Sequence, residues 1–75
     1  MINPKGMTLR QWADAMVLVI PDSWNVGTLL SDDAWQDWGV QLVRAPQASA
    51  SNPPSPYAFD NWREWAERLA QFELI

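Results

Sequence analysis

The sequence has no cysteine and no histidine. Their joint absence removes disulfide staples, the usual ligands of structural zinc, and the commonest general base and thiol nucleophile. Small domains usually compensate for a limited core with disulfides, a metal or association. Association, or docking on a partner, is the route left to this chain. Lysine occurs once, at Lys5, and glycine three times, at Gly6, Gly27 and Gly39. No Gly-rich loop able to cradle phosphates can be drawn from those positions. Long apolar runs are missing too. The longest, Ala15 to Ile20, has six residues, against the ~20 that a bilayer span requires. The opening Met1-Ile2-Asn3-Pro4-Lys5-Gly6 lacks the charged start and apolar stretch of a secretory signal. These features lead us to expect no membrane partner and a chain made and kept soluble inside its cell.

Positive charge is scarce: five basic residues face nine acidic ones, for a net charge of −4. Such a balance repels phosphate backbones and anionic lipid surfaces, so nucleic acid is not an expected partner. Catalysis without His or Cys would fall to carboxylates, Ser or Thr, or Lys5, and none of these forms a recognisable motif. Asp32, Asp33 and Asp37 lie close in sequence but lack the alternating ligands and the glycine of a calcium loop. Capping of a helix start explains Asp32 and Asp33 better. We expect neither an enzyme nor a cofactor, and keep a carboxylate enzyme or metal protein as the remote third reading.

What the sequence does contain is tryptophan, six in 75 residues. A chain this short is one domain at most and buries only ~60% of its unfolded surface. Aligning it with itself brings Trp12, Trp38 and Trp65 into register, at spacings of 26 and 27 residues. Three residues before each stands a large apolar group, Leu9, Trp35 or Trp62, and the positions between are polar. One residue after each comes a small residue, Ala13, Gly39 or Ala66, and four after comes Met16, Leu42 or Leu69. Apolar groups at i, i+3, i+4 and i+7 define an amphipathic helix. Any three such helices share that period, with Trp as core filler. The small residue is what periodicity does not demand, and it suggests close backbone approach at a shared crossing.

Start signals precede each copy: Thr8 with Gln11 as a capping box, Asp33 ahead of Trp35, and Asn61 with Glu64 as a second box. We expect an all-α fold of three short helices, at about residues 8–19, 33–44 and 60–74. On the outer face of the third, Glu64 with Arg68 and Arg63 with Glu67 are spaced as i,i+4 ion pairs. The connectors, residues 20–32 and 45–59, are long for helix connections. The second is a Pro, Ser and Ala mixture expected to run extended as a semi-rigid spacer that cannot build a core. Pro53 and Pro56 form a PxxP pair without a flanking basic residue, which argues against a groove ligand. Trp24, Tyr57 and Phe59 lie outside the repeat, placed either to cover the helices or to anchor a partner.

The segment Asp60-Asn61-Trp62-Arg63-Glu64-Trp65-Ala66-Glu67-Arg68-Leu69 resembles segments of small virion proteins of tailed bacteriophages, which carry Trp-x-x-Trp-Ala-x-x-Leu helices beside Pro-rich stretches. Trp35 to Leu42 and Leu9 to Met16 repeat the form, the first copy departing from it with Leu9 in place of Trp. The resemblance implies a component present in many symmetry-related copies on portal, tail, fibre or capsid proteins, located in the virion after synthesis in the host cytoplasm. The three helices either form a small bundle or lie separately over partners, and of the two we expect the partly extended form. Trp12, Trp24, Trp35, Trp38, Tyr57, Trp62 and Trp65 are the expected partner-binding residues of a clamp, adaptor or decoration protein. The competing expectation is a small phage-encoded inhibitor of a host protein.

Overall fold

The computed structural model describes residues 2–72, and among them every regular element is helical. Helix α1, Leu9–Val19, opens on the capping box. The Thr8 hydroxyl accepts from the Gln11 backbone N–H at 3.2 Å, and the Gln11 side chain accepts from the Thr8 N–H at 3.0 Å. It ends where Ile20 turns extended ahead of Pro21, and α2, Trp35–Arg44, ends in the same way at Ala45 ahead of Pro46. The cause is common to both, since a proline disfavours helical geometry in the residue before it.

The start of α2 differs from expectation. Ser31, not Asp33, supplies the cap, accepting from the Asp33 N–H at 3.3 Å and opening a 3-10 turn, Asp32–Ala34, that runs into the helix. Asp32 and Asp33 occupy the first turn, where carboxylates complement the positive end of the helix. The last repeat helix, here α4, spans Trp62–Leu69 and is capped by Asn61, whose side chain accepts from the Glu64 N–H at 2.9 Å. It stops well short of residue 74. Gln71 and Phe72 bond back three residues, to Arg68 and Leu69, which tightens the chain out of the α-helix; residues 73 and 74 lie outside those described. Arg63 does not point to Glu67 but reaches the Pro4 and Met7 carbonyls, at 3.1 and 2.7 Å.

The second connector corrects the expected extended spacer. It forms a helical turn, α3, Pro46–Ser49, and a 3-10 turn, Pro56–Ala58, each with proline at its first position. Proline suits that position because its fixed φ is helical and its missing N–H would have no partner there. Ala45, Ala48 and Pro56 are buried, so this segment does contribute to the core. Nor are the helices spread out. The radius of gyration is 10.9 Å, close to the ~11 Å of a folded chain of this length, and the extents are 26 × 21 × 20 Å.

One core runs through the molecule, and the repeat residues fill its centre. Trp12, Trp38 and Trp65 are buried with Met16, Leu42 and Leu69 and with the small residues Ala13, Gly39 and Ala66. The rings of Trp38 and Trp65 meet the Trp12 ring edge-on, at centroid distances of 5.7 and 5.6 Å. The small residue expected to permit close approach does so at Gly39: a Cβ there would lie 2.7 Å from the outer edge of the Trp65 ring.

Candidate protein-docking cleft

Each buried repeat tryptophan donates its indole N–H to a backbone carbonyl in the segment leading into its own helix. Trp12 bonds Ile2 at 2.8 Å, Trp38 bonds Gly27 at 2.6 Å and Trp65 bonds Pro54 at 2.9 Å. Two residues beyond each acceptor lies a fully buried side chain, Pro4, Leu29 or Pro56. Each copy is therefore a lead-in segment pinned to its own helix by a buried ring, which satisfies an indole donor that would otherwise be costly to bury.

A second set of bonds joins successive copies. Two residues before each repeat Trp, a polar side chain donates to the lead-in segment of the next copy. Arg10 reaches the Leu30 carbonyl at 3.4 Å, and Gln36 reaches Pro56 and Phe59 at 3.5 and 3.2 Å. Arg63, already seen on Pro4 and Met7, returns from the third copy to the first. The rings follow the same order: Trp35 of the second copy lies 6.0 Å from Trp65 of the third, and Trp62 of the third lies 5.9 Å from Trp12 of the first. The three copies thus close head to tail into a pseudo-three-fold ring.

The helix starts of all three copies border one open cleft of about 510 Å³. Thr8 and Leu9 come from the first copy, Asp32, Asp33 and Trp35 from the second, and Asp60, Asn61, Trp62 and Arg63 from the third. Backbone N–H groups at the three starts already bond to Thr8, Ser31 and Asn61. Side chains thereby take donors that an anion would otherwise use, and the carboxylates of Asp32, Asp33 and Asp60 repel one. Among the described residues no group of three acidic side chains is gathered to hold a metal ion. The cleft combines three separated carboxylates and the single cation of Arg63 with two half-buried indoles.

The expected partner-binding residues fall into two groups. Trp12, Trp38 and Trp65 are in the core, and so is Trp24, carried there by a 3-10 turn, Asp22–Trp24, that leaves through left-handed Asn25. Their rings are covered by this chain itself and present no free face to a partner, a correction to their expected role. Trp35 and Trp62 are half-buried at the cleft, and Tyr57 is exposed. The Tyr57 hydroxyl donates to Asp37 across the junction of the second and third copies, and that bond, with the nearby negative charge, raises the Tyr57 pKa above its usual value. Among the described residues Leu18 and Leu30, not singled out from the sequence, are the most exposed large apolar side chains, 86% and 85% accessible. Their exposure carries no signal in the apolar periodicity, which marks both simply as hydrophobic. Compared with known protein families, with curated proteins and with solved structures, the chain matches none.

Proposed function

We propose that this chain is a preformed protein-binding module, acting as a minor structural component of a tailed-phage virion that serves as clamp, adaptor or decoration on tail or head-to-tail proteins. The cleft carries the binding part of this reading, because it is where the closed ring leaves aromatic surface and unpaired carboxylates open to solvent. Its placement in the virion rests on the resemblance of the Trp-x-x-Trp-Ala-x-x-Leu segments. Because the buried rings stabilise the chain's own fold, docking takes place through a rigid surface. Preorganisation of that kind lowers the ordering cost of association, and repetition over many copies in a particle adds avidity.

Mass spectrometry of purified particles tests the placement. The chain is expected at a fixed ratio to a portal, tail, fibre or capsid protein, and its absence from intact particles contradicts the virion reading. The second reading, an inhibitor of a host protein, is favoured by the self-contained fold and the acidic cleft. It predicts the chain in infected-cell extract bound to one host protein and missing from particles.

A further inference from the structure

The second and third copies place equivalent tryptophans, Trp35 and Trp62, at the cleft, and the pair differs in one respect. Over Trp62 lies the guanidinium of Arg63, 4.6 Å from the ring centroid. The residue equivalent to Arg63 in the second copy is Gln36, which is neutral and holds the Pro56 and Phe59 carbonyls. Among the described residues no cation is placed over Trp35. Beside Trp35 the cleft carries Asp32 and Asp33, with Asp60 contributed by the third copy.

We propose that this position on Trp35 receives an arginine side chain from a basic segment of a partner protein. The inference rests on the protein-binding reading above and names the chemistry of its partner. The molecule itself supplies the precedent, since its own third copy seats a guanidinium on the equivalent ring. Charge agrees: three carboxylates against one cation, Arg63, border the cleft and the whole chain carries −4, so a basic segment is attracted before contact and its head group finds carboxylates on arrival. A planar guanidinium both stacks on an indole face and bonds carboxylates at its edge, which a compact metal ion does not do. The separation of the carboxylates, too scattered for a metal, suits that larger head group.

The test is a titration of the purified full chain with the peptide acetyl-Gly-Arg-Arg-Gly-amide, followed by two-dimensional ¹H–¹⁵N NMR. Saturable shifts are expected at the Trp35 indole and at the amides of residues 32–35 and 60–63. The peptide with citrulline in place of arginine keeps the shape but loses the charge, and is expected to bind at least tenfold more weakly. Gln36→Arg supplies the second copy with the cation the third already has. It is expected to remain folded and to weaken peptide binding at least fivefold by filling the site from within. Gln41→Arg adds the same charge at an exposed position of the same helix and is expected to change affinity less than twofold.

Equal binding of the citrulline peptide, no saturable shift, or undiminished binding by a folded Gln36→Arg variant overturns the proposal. Should that variant not fold, the arginine and citrulline comparison on the unaltered chain still decides. Particle composition is a separate measurement. A chain present in particles but indifferent to arginine sinks this inference alone, and a chain that binds arginine but is missing from particles sinks the virion placement alone.

Discussion

Two sets of large side chains lie three residues apart on the same helix faces, and their tryptophans meet opposite fates. The inner set, Trp12, Trp38 and Trp65, is sealed in the core with every indole N–H bonded to a carbonyl. The outer set, Leu9, Trp35 and Trp62, lines the cleft, its two indoles half-exposed. Residue type does not separate the two, since tryptophan serves in both. The difference is made by what surrounds each ring. Inner rings have a lead-in carbonyl within reach and a small residue beside them, whereas outer rings stand at the first turn of their helices, where the chain leaves the core. The inner set therefore holds the fold together, whereas in the outer set Leu9 joins the core and the two indoles leave part of their surface at the cleft.

The largest expected effect breaks the inner set. Trp65→Ala leaves a void beneath Gly39 and an orphaned Pro54 carbonyl, at a cost of about 3–5 kcal/mol. A loss of that size rivals the whole stability of a small domain, ~5 kcal/mol, so cooperative unfolding in urea should disappear. Trp35→Leu, at the cleft, is expected to cost only about 1 kcal/mol and keep the transition. Equal losses at the two positions would erase the distinction.

Gly39→Ala probes the closeness of the inner set with a single methyl group. In an exposed helix the change stabilises by about 1 kcal/mol. Here the methyl meets the Trp65 ring, which cannot retreat because its N–H is held by Pro54 and its face by Trp35. We expect a net loss of about 1–2 kcal/mol, read as a lower urea midpoint.

The smallest effect concerns the rim. Tyr57 is the only tyrosine, so its phenolate absorbance reports one site. Bonding to Asp37 favours the protonated phenol in the folded chain. The stabilisation is therefore complete below the ordinary tyrosine pKa of about 10 and is lost as pH rises through the higher folded value. Spectrophotometric titration should give a midpoint above about 10, returning toward it in Asp37→Ala.

How much of this was legible in the sequence varies from copy to copy. Apolar spacing located all three helices because each covers one face of a shared core, and the caps at Thr8 and Asn61 were readable because their partners sit three residues away. The small residue after each Trp pointed correctly to close approach at Gly39. What spacing could not reveal was which rings face inward, because Trp35 and Trp38 share a helical face and burial is decided by segments elsewhere in the chain. The carbonyl acceptors at Ile2, Gly27 and Pro54 belong to backbone, which carries no residue-type signature. Composition misleads at the second connector: its prolines suggest extended chain, yet Ala45-Pro46 and Ser55-Pro56 are starts of helical turns, which proline at a first helical position equally allows. Ser31 carries no capping signal in the sequence, because a 3-10 turn separates it from the helix it introduces.

The central claim is a closed ring of three copies, each locked by its own indole. Hydrogen exchange of the indole N–H groups, followed by NMR in the purified chain, tests it most directly. The account predicts that Trp12, Trp38 and Trp65 exchange slowly and at one common rate, through unfolding of the whole ring, while Trp35 and Trp62 exchange at once. An inner indole that exchanges as quickly as Trp35 would contradict it.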